Sequence, residues 1–132
     1  MARKLPRLEP DSAFFWTSGA DGILRIQRCA DCRRWQHPPL PRCAGCGSEA
    51  VSPQPVSGKG RIACYTVNRE AWLPDMAVPF VFAAVELEEQ PQLYVFTNLL
   101  APVEEARVGL PVSVTFEQHD DLWLPLFQPD PS

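Results

Sequence analysis

Two Cys-x-x-Cys pairs, Cys29-Ala30-Asp31-Cys32 and Cys43-Ala44-Gly45-Cys46, stand ten residues apart in a chain of 132 residues, and no other feature narrows the possible folds as far. A Cys-x-x-Cys turn offers two soft sulfur ligands from one tight knuckle, and two such knuckles supply the tetrahedral set that a structural zinc ion requires. With Cys29, Cys32, Cys43 and Cys46 all used, no position remains for water or substrate, so the expected Zn2+ is structural rather than catalytic. A redox dithiol is the other reading of Cys-x-x-Cys, but two pairs at ribbon spacing argue against it. Gly47, just past the second knuckle, suits the left-handed backbone that such turns favour, whereas Arg33 at the matching place does not. Arg28, Arg33, Arg34 and Arg42 flank a centre of net charge −2 and are read as compensating it, with phosphate binding as the alternative. His37 is expected to pack or hydrogen-bond, and Cys64 to be a buried strand residue.

Around the knuckles the chain divides into a helical segment (1–20), a ribbon (21–50), a connector (51–59) and a β-rich part (60–132). Asp11 or Ser12 can cap a short helix through Ala13, Phe14, Phe15 and Trp16, with Gly19 to end it. Three adjacent aromatics span most of such a helix, which therefore either wedges between ribbon and β domain or faces a partner. A strand over Ile23–Arg28 leads to Cys29, and Pro38, Pro39 and Pro41 make residues 33–42 a loop or extended connection. Residues 48–59, rich in Ser, Pro and Gly, read as a linker. Five strands are expected at Arg61–Arg69, Phe80–Glu88, Leu93–Leu100, Val112–Glu117 and Leu122–Phe127, with a one-to-two-turn helix over Pro102–Ala106 between the third and fourth. That is the plan of an OB-type barrel. The fold class is thus mainly β: an N-terminal helix and rubredoxin-like zinc ribbon, then a five-stranded OB-fold barrel.

Charge excludes one common use of such barrels. Residues 1–50 carry eight Lys/Arg against five Asp/Glu, whereas residues 51–132 carry four against eleven. An acidic barrel repels phosphates, so nucleic acid is not the expected partner, although Tyr65, Phe82, Tyr94 and Phe96 would be available for stacking if they were not core residues. The longest apolar run, 77–85, is too short to cross a membrane, and the N-terminal residues show no secretory apolar stretch; both point to the cytoplasm. The two histidines, His37 and His119, sit in no recognisable catalytic motif, so the chain is not expected to be an enzyme by itself. The loop Ala71–Pro79, carrying Trp72, Leu73 and Met76, is unusually apolar for a surface segment and either folds back over the barrel or forms a sticky tip.

Taken in order, Phe15-Trp16, the strand into Arg28-Cys29, Trp35-Gln36-His37-Pro38-Pro39, the second knuckle with Gly47-Ser48, Gly60-Arg61-Ile62, Tyr65-Thr66-Val67, Pro79-Phe80 and Val108-Gly109-Leu110-Pro111-Val112 resemble the zinc-ribbon plus OB-fold family of acyl-CoA-associated proteins. The likeness spans nearly the whole chain and departs from the common pattern at Arg33, where glycine is frequent. It implies a non-catalytic accessory subunit that assembles with a thiolase-fold enzyme (a thiolase, acyltransferase or aldolase) and sometimes with a hot-dog-fold hydratase. Such a subunit would complete or shield an acyl-CoA site whose catalytic residues lie on the partner. On this reading Phe14, Phe15, Trp16, Trp35, Trp72, Leu73 and Met76 are the expected partner or acyl-CoA contacts. A stand-alone acyl-CoA-binding protein is the first alternative, and a single-stranded nucleic-acid module the second.

Overall fold

The computed structural model describes residues 12–71 and 78–130. Helix α1, Ala13–Thr17, continues as a 3-10 turn over Ser18–Asp21 and ends at Gly22, whose φ of 77° is left-handed. The expected stop at Gly19 is therefore displaced by three residues. Gly19 serves a different need: a Cβ there would stand 2.5 Å from Phe116 Cδ1 and 2.7 Å from Trp123 Cβ, so the turn lies directly on the barrel's last hairpin. Ser12 occupies the N-cap position without a side-chain cap bond, its carbonyl accepting from Phe15 N at 3.0 Å. Asp11, the other suggested cap, lies outside the described residues.

Next comes a small antiparallel sheet in the order β2-β1-β3, made of β1 (Arg25–Cys29), β2 (Trp35–Gln36) and β3 (Val51–Pro55). Two of these strands depart from expectation. The proline-rich connection does hold a strand, because Trp35 and Gln36 precede its first proline and pair with Arg28 and Gln27. The stretch expected as a linker over 51–59 is structured as well: Val51–Pro55 pairs along all of β1. Val56 N donates to Leu24 O at 3.0 Å, so even-numbered amides on this edge face β1. Pro53 and Pro55 consequently place their missing N–H groups on the solvent side, where an edge strand tolerates proline. Only Val56–Gly58 remain between this strand and the next.

Strands β4 (Lys59–Asn68), β5 (Phe80–Leu87), β6 (Tyr94–Leu99), β7 (Pro111–His119) and β8 (Leu122–Pro129) close a barrel in the order β4-β5-β6-β8-β7. This is the five-stranded OB-type barrel. The connection between β6 and β7 is a single 3-10 turn, Val103–Glu105, shorter than the helix expected over Pro102–Ala106, because Ala106 turns to extended backbone and buries its methyl. A register shift in β4 between Ile62 and Cys64 moves Cys64 out of the core phase. Cys64 is exposed, contrary to the expectation that it is buried.

One apolar cluster runs through the described molecule, from Phe15, Leu24, Ile26, Trp35 and Val56 to Ile62, Val81, Val85, Leu87, Val95, Val112 and Phe127. Ribbon and barrel therefore share a core. A polar brace reinforces the junction: Gln90, in the turn between β5 and β6, accepts from Trp35 N at 2.9 Å and donates to Trp35 O at 3.0 Å. Its amide group thus takes the place of a neighbouring strand beside β2.

Candidate metal centre

β1 ends on Cys29, and the turn that follows returns the chain so that Cys29 N donates to Arg34 O at 2.9 Å. The second knuckle is its counterpart, with Cys43 N donating to Ser48 O at 2.8 Å and Gly47 N to Cys43 O at 2.9 Å. Arg33 and Gly47, at equivalent places, both adopt left-handed backbone, with φ of 67° and 76°. Arg33 takes this conformation although it costs a side-chain-bearing residue about 1–2 kcal/mol. Its carbonyl is thereby presented to Arg28 Nε, which donates at 2.8 Å while the guanidinium lies 4.6 Å from the Trp35 ring centroid.

Each knuckle turns backbone N–H groups toward its first sulfur: Cys32 N lies 3.5 Å from Cys29 Sγ, and Gly45 N 3.3 Å from Cys43 Sγ. The four sulfurs fall within 4.8 Å of one another, with Cys29–Cys46 at 3.6 Å and Cys32–Cys43 at 3.5 Å. A tetrahedron with zinc–sulfur bonds of about 2.3 Å has sulfur–sulfur edges of about 3.8 Å. The donor set fits the ion. These separations are also far beyond a disulfide bond of about 2.05 Å.

Acidities agree with a group that needs a cation. The backbone N–H of Cys46, with help from that of Gly45, lowers the Cys43 thiol to about 6, and the N–H of Cys32 lowers Cys29. At Cys46 the Ser48 N–H pulls down, but the crowd of Cys29, Cys32 and Cys43 sulfurs outweighs it and pushes the thiol up to about 12. Four thiolates cannot share this space unless a positive ion sits among them. Cys29, Cys32, Cys43 and Cys46 are the ligands of a structural zinc, and its role is to fix the two knuckles against each other.

Two buried glutamines stiffen the loop between the knuckles. Gln27 donates to Leu40 O and accepts from Leu40 N, each at 2.9 Å, while Gln36 accepts from Ala44 N at 2.9 Å and donates to Gln27 Oε1 at 2.5 Å and Arg42 O at 3.1 Å. Composition gave no hint of this ladder; Gln27 and Gln36 are buried beside Ile26 and Trp35 in the same short strands. Arg42 pairs with Glu49 at 2.7 Å and donates to Gly47 O at 3.2 Å, so part of the basic cluster is engaged with the ribbon itself.

The residues expected to contact a partner fall in different places. Phe15 is buried, its ring centroid 4.8 Å from Trp16 and 4.6 Å from His37, and Trp35 is buried beneath Arg28. Phe14 and Trp16 are half-buried against the core. Trp72, Leu73 and Met76 lie outside the described residues. His37 packs as expected, half-buried against Phe15, its Nδ1 buried and without a hydrogen-bond partner among the described residues. The surface aromatics are instead Tyr65, Phe82, Tyr94 and Phe96, expected in the core. Alternation shows why: Val81, Ala83, Val85 and Leu87 take the inward phase of β5, and Val95, Thr97 and Leu99 that of β6, leaving Phe82, Tyr94 and Phe96 outside.

The model of the ChsH2 rubredoxin-like zinc ribbon domain matches residues 16–52, and that of the ChsH2 C-terminal OB-fold domain matches residues 53–117. The chain belongs to the ChsH2 ribbon and OB-fold family. Among the relatives of this ChsH2-type chain are a "probable enoyl-CoA hydratase alpha subunit" of Thermomonospora curvata and the "3-oxo-4,17-pregnadiene-20-carboxyl-CoA hydratase alpha subunit" of Mycobacterium tuberculosis. The first is 36% identical over 96% of this chain, the second 35% over 95%. The chain spans 40% of the length of each. It also superposes on a chain of the solved "Ltp2-ChsH2(DUF35) aldolase" with a TM-score of 0.84 and 33% identity, covering 95% of this chain and 98% of that one.

Proposed function

We propose that this ChsH2-type chain is a non-catalytic accessory subunit of a thiolase-fold enzyme acting on acyl-CoA, and that it helps to form or shield that enzyme's acyl-CoA site. The observation that carries the reading is the metal centre. It is the one constellation of reactive side chains among the described residues, and four thiolates around zinc leave no open position for a substrate. His37 is enclosed beside Phe15, and His119 Nε2 lies 2.6 Å from Glu117 on a hairpin with no nucleophile described beside it. Chemistry on an acyl thioester needs a nucleophile, a base and an oxyanion clamp in one place, and a partner would supply them. The names of the relatives, hydratase alpha subunits and an aldolase assembly, support a place in an acyl-CoA enzyme complex.

In this role zinc supplies no reactive group; it holds the ribbon rigid, and the shared core with the Gln90 brace transmits that rigidity to the barrel. Co-expression with an aldolase subunit homologous to Ltp2, followed by native mass spectrometry, should show a complex carrying one zinc per ribbon. The enzyme's activity or solubility should rise on assembly. A chain that remains monomeric and leaves the enzyme unchanged, or that binds CoA esters by itself in calorimetry, would refute the accessory role.

A further inference from the structure

Three strands of the barrel present an outward face that is left exposed among the described residues. Phe96 is 64% exposed, Phe82 45% and Tyr94 36%, whereas Tyr65 pairs with the inward-facing Ala83 and is not part of this face. Phe82 and Phe96 lie on neighbouring strands, opposite Asn98 and Ala84 respectively, which makes them diagonal neighbours. Their rings stack in parallel, 6.0 Å between centroids and 4° between planes. The outward ladder through them runs Cys64, Ala84, Phe96 and then Thr66, Phe82, Asn98, with no charged side chain; Arg61, Glu86 and Tyr94 form the next rung. On a barrel with four basic and eleven acidic residues, an uncharged aromatic strip is out of keeping with a solvated surface.

We propose that this face, centred on Phe82 and Phe96, is where the barrel docks on its enzyme partner, against an uncharged apolar surface of that subunit. The proposal rests on the accessory-subunit reading above. Size favours this occupant over a second copy. Taking about 200 Å² for each aromatic side chain, the three rings expose roughly 290 Å². Two convex barrels touching here would bury only about 600 Å² in all, below the roughly 1,200 Å² of a stable specific interface. A partner whose surface curves around the strands gains the flanking area as well. Charge favours it over single-stranded nucleic acid, since phosphates approaching these rings would meet an acidic barrel.

The test is association with a co-expressed Ltp2-homologous aldolase subunit, measured for the full chain and for Phe82→Asp and Phe96→Asp, with Val108→Asp as an exposed apolar control away from the face. Binding at least tenfold weaker for both face variants, with zinc content and far-ultraviolet circular dichroism retained and the control unaffected, is the expected result. Should an aspartate variant fail to fold, Phe96→Ser and footprinting of Tyr94 and Phe96 in the wild-type complex answer the same question; the two rings should be protected. Full binding by the variants, or unprotected rings, overturns the docking face and leaves the accessory role standing. Absence of wild-type binding overturns both. A wild-type dimer dissolved by Phe96→Asp, or oligonucleotide binding at low salt abolished by it, would likewise overturn the proposal.

Discussion

Replacing Gln90 by alanine tests whether the ribbon and barrel are joined as one body. The Gln90 amide makes two hydrogen bonds to the Trp35 backbone, at 2.9 and 3.0 Å, in a half-buried site. Each is worth about 1 kcal/mol net, and a backbone group left unpaired in a partly buried place adds to the loss, so the variant should lose roughly 2–3 kcal/mol. With a urea m-value of about 2 kcal/mol/M for a domain of this size, the midpoint should fall by about 1–1.5 M. Gln90→Glu should be at least as weak as alanine, because its second carboxylate oxygen would face the Trp35 carbonyl that Gln90 Nε2 now satisfies at 3.0 Å. Far-ultraviolet circular dichroism should report a single transition in the wild type, and the Trp35 amide, which donates to Gln90, should exchange faster in Gln90→Ala. A loss under about 0.5 kcal/mol, or a Gln90→Glu variant as stable as the wild type, would refute the strand-substitute account.

Burial holds His37 well below the ordinary histidine value, at about 4, so the folded chain keeps it neutral. The unfolded chain binds that proton near pH 6.5, so stability fully present above 6.5 is lost as pH falls toward 4, by up to roughly 3 kcal/mol. His37→Phe should flatten that part of the profile, and because acid release of zinc acts on both proteins, the difference curve isolates the histidine; equal slopes would refute the assignment. A Cβ at position 60 would run into the Glu86 carbonyl oxygen and come within 2.9 Å of Val85 Cγ1. Gly60→Ala should therefore cost about 2–4 kcal/mol in urea unfolding, as overpacking against a rigid backbone does. With zinc bound, iodoacetamide should label only the exposed Cys64, and chelation should open four further thiols together with loss of ribbon structure; five reactive thiols before chelation would contradict the metal centre.

The metal ligands were legible because the chemistry of a knuckle is local: cysteine identity and a three-residue step determine where the sulfurs go. The barrel was legible for a similar reason, since alternation in β5 and β6 and the hairpin turns carry strand identity within a few residues. What escaped depended on partners distant in sequence. Val51–Pro55 resembles a linker until β1 is present to receive its even-numbered amides. Cys64 takes its outward position from a register shift that only pairing with β5 defines. Gln90 meets Trp35 across fifty-five positions of chain. Phe82 and Phe96 were assigned inward on hydrophobicity, although the phase of their own strands assigns them outward; the conflict between composition and alternation marked the face.

The barrel is fastened unevenly. β4 and β5 pair along most of their length, whereas β6 meets β8 through the single parallel pair Leu99↔Phe127, reinforced by Leu100 N donating to Phe127 O at 2.8 Å and Thr97 Oγ1 to Pro125 O at 3.2 Å. Pro125 has no N–H to add there. The cylinder is thus a rolled sheet held by a narrow clasp, and thermal breathing should begin by releasing that clasp rather than by melting a strand. Amide exchange at Leu100 is then the earliest gauge of the molecule loosening, well before the zinc ribbon gives way.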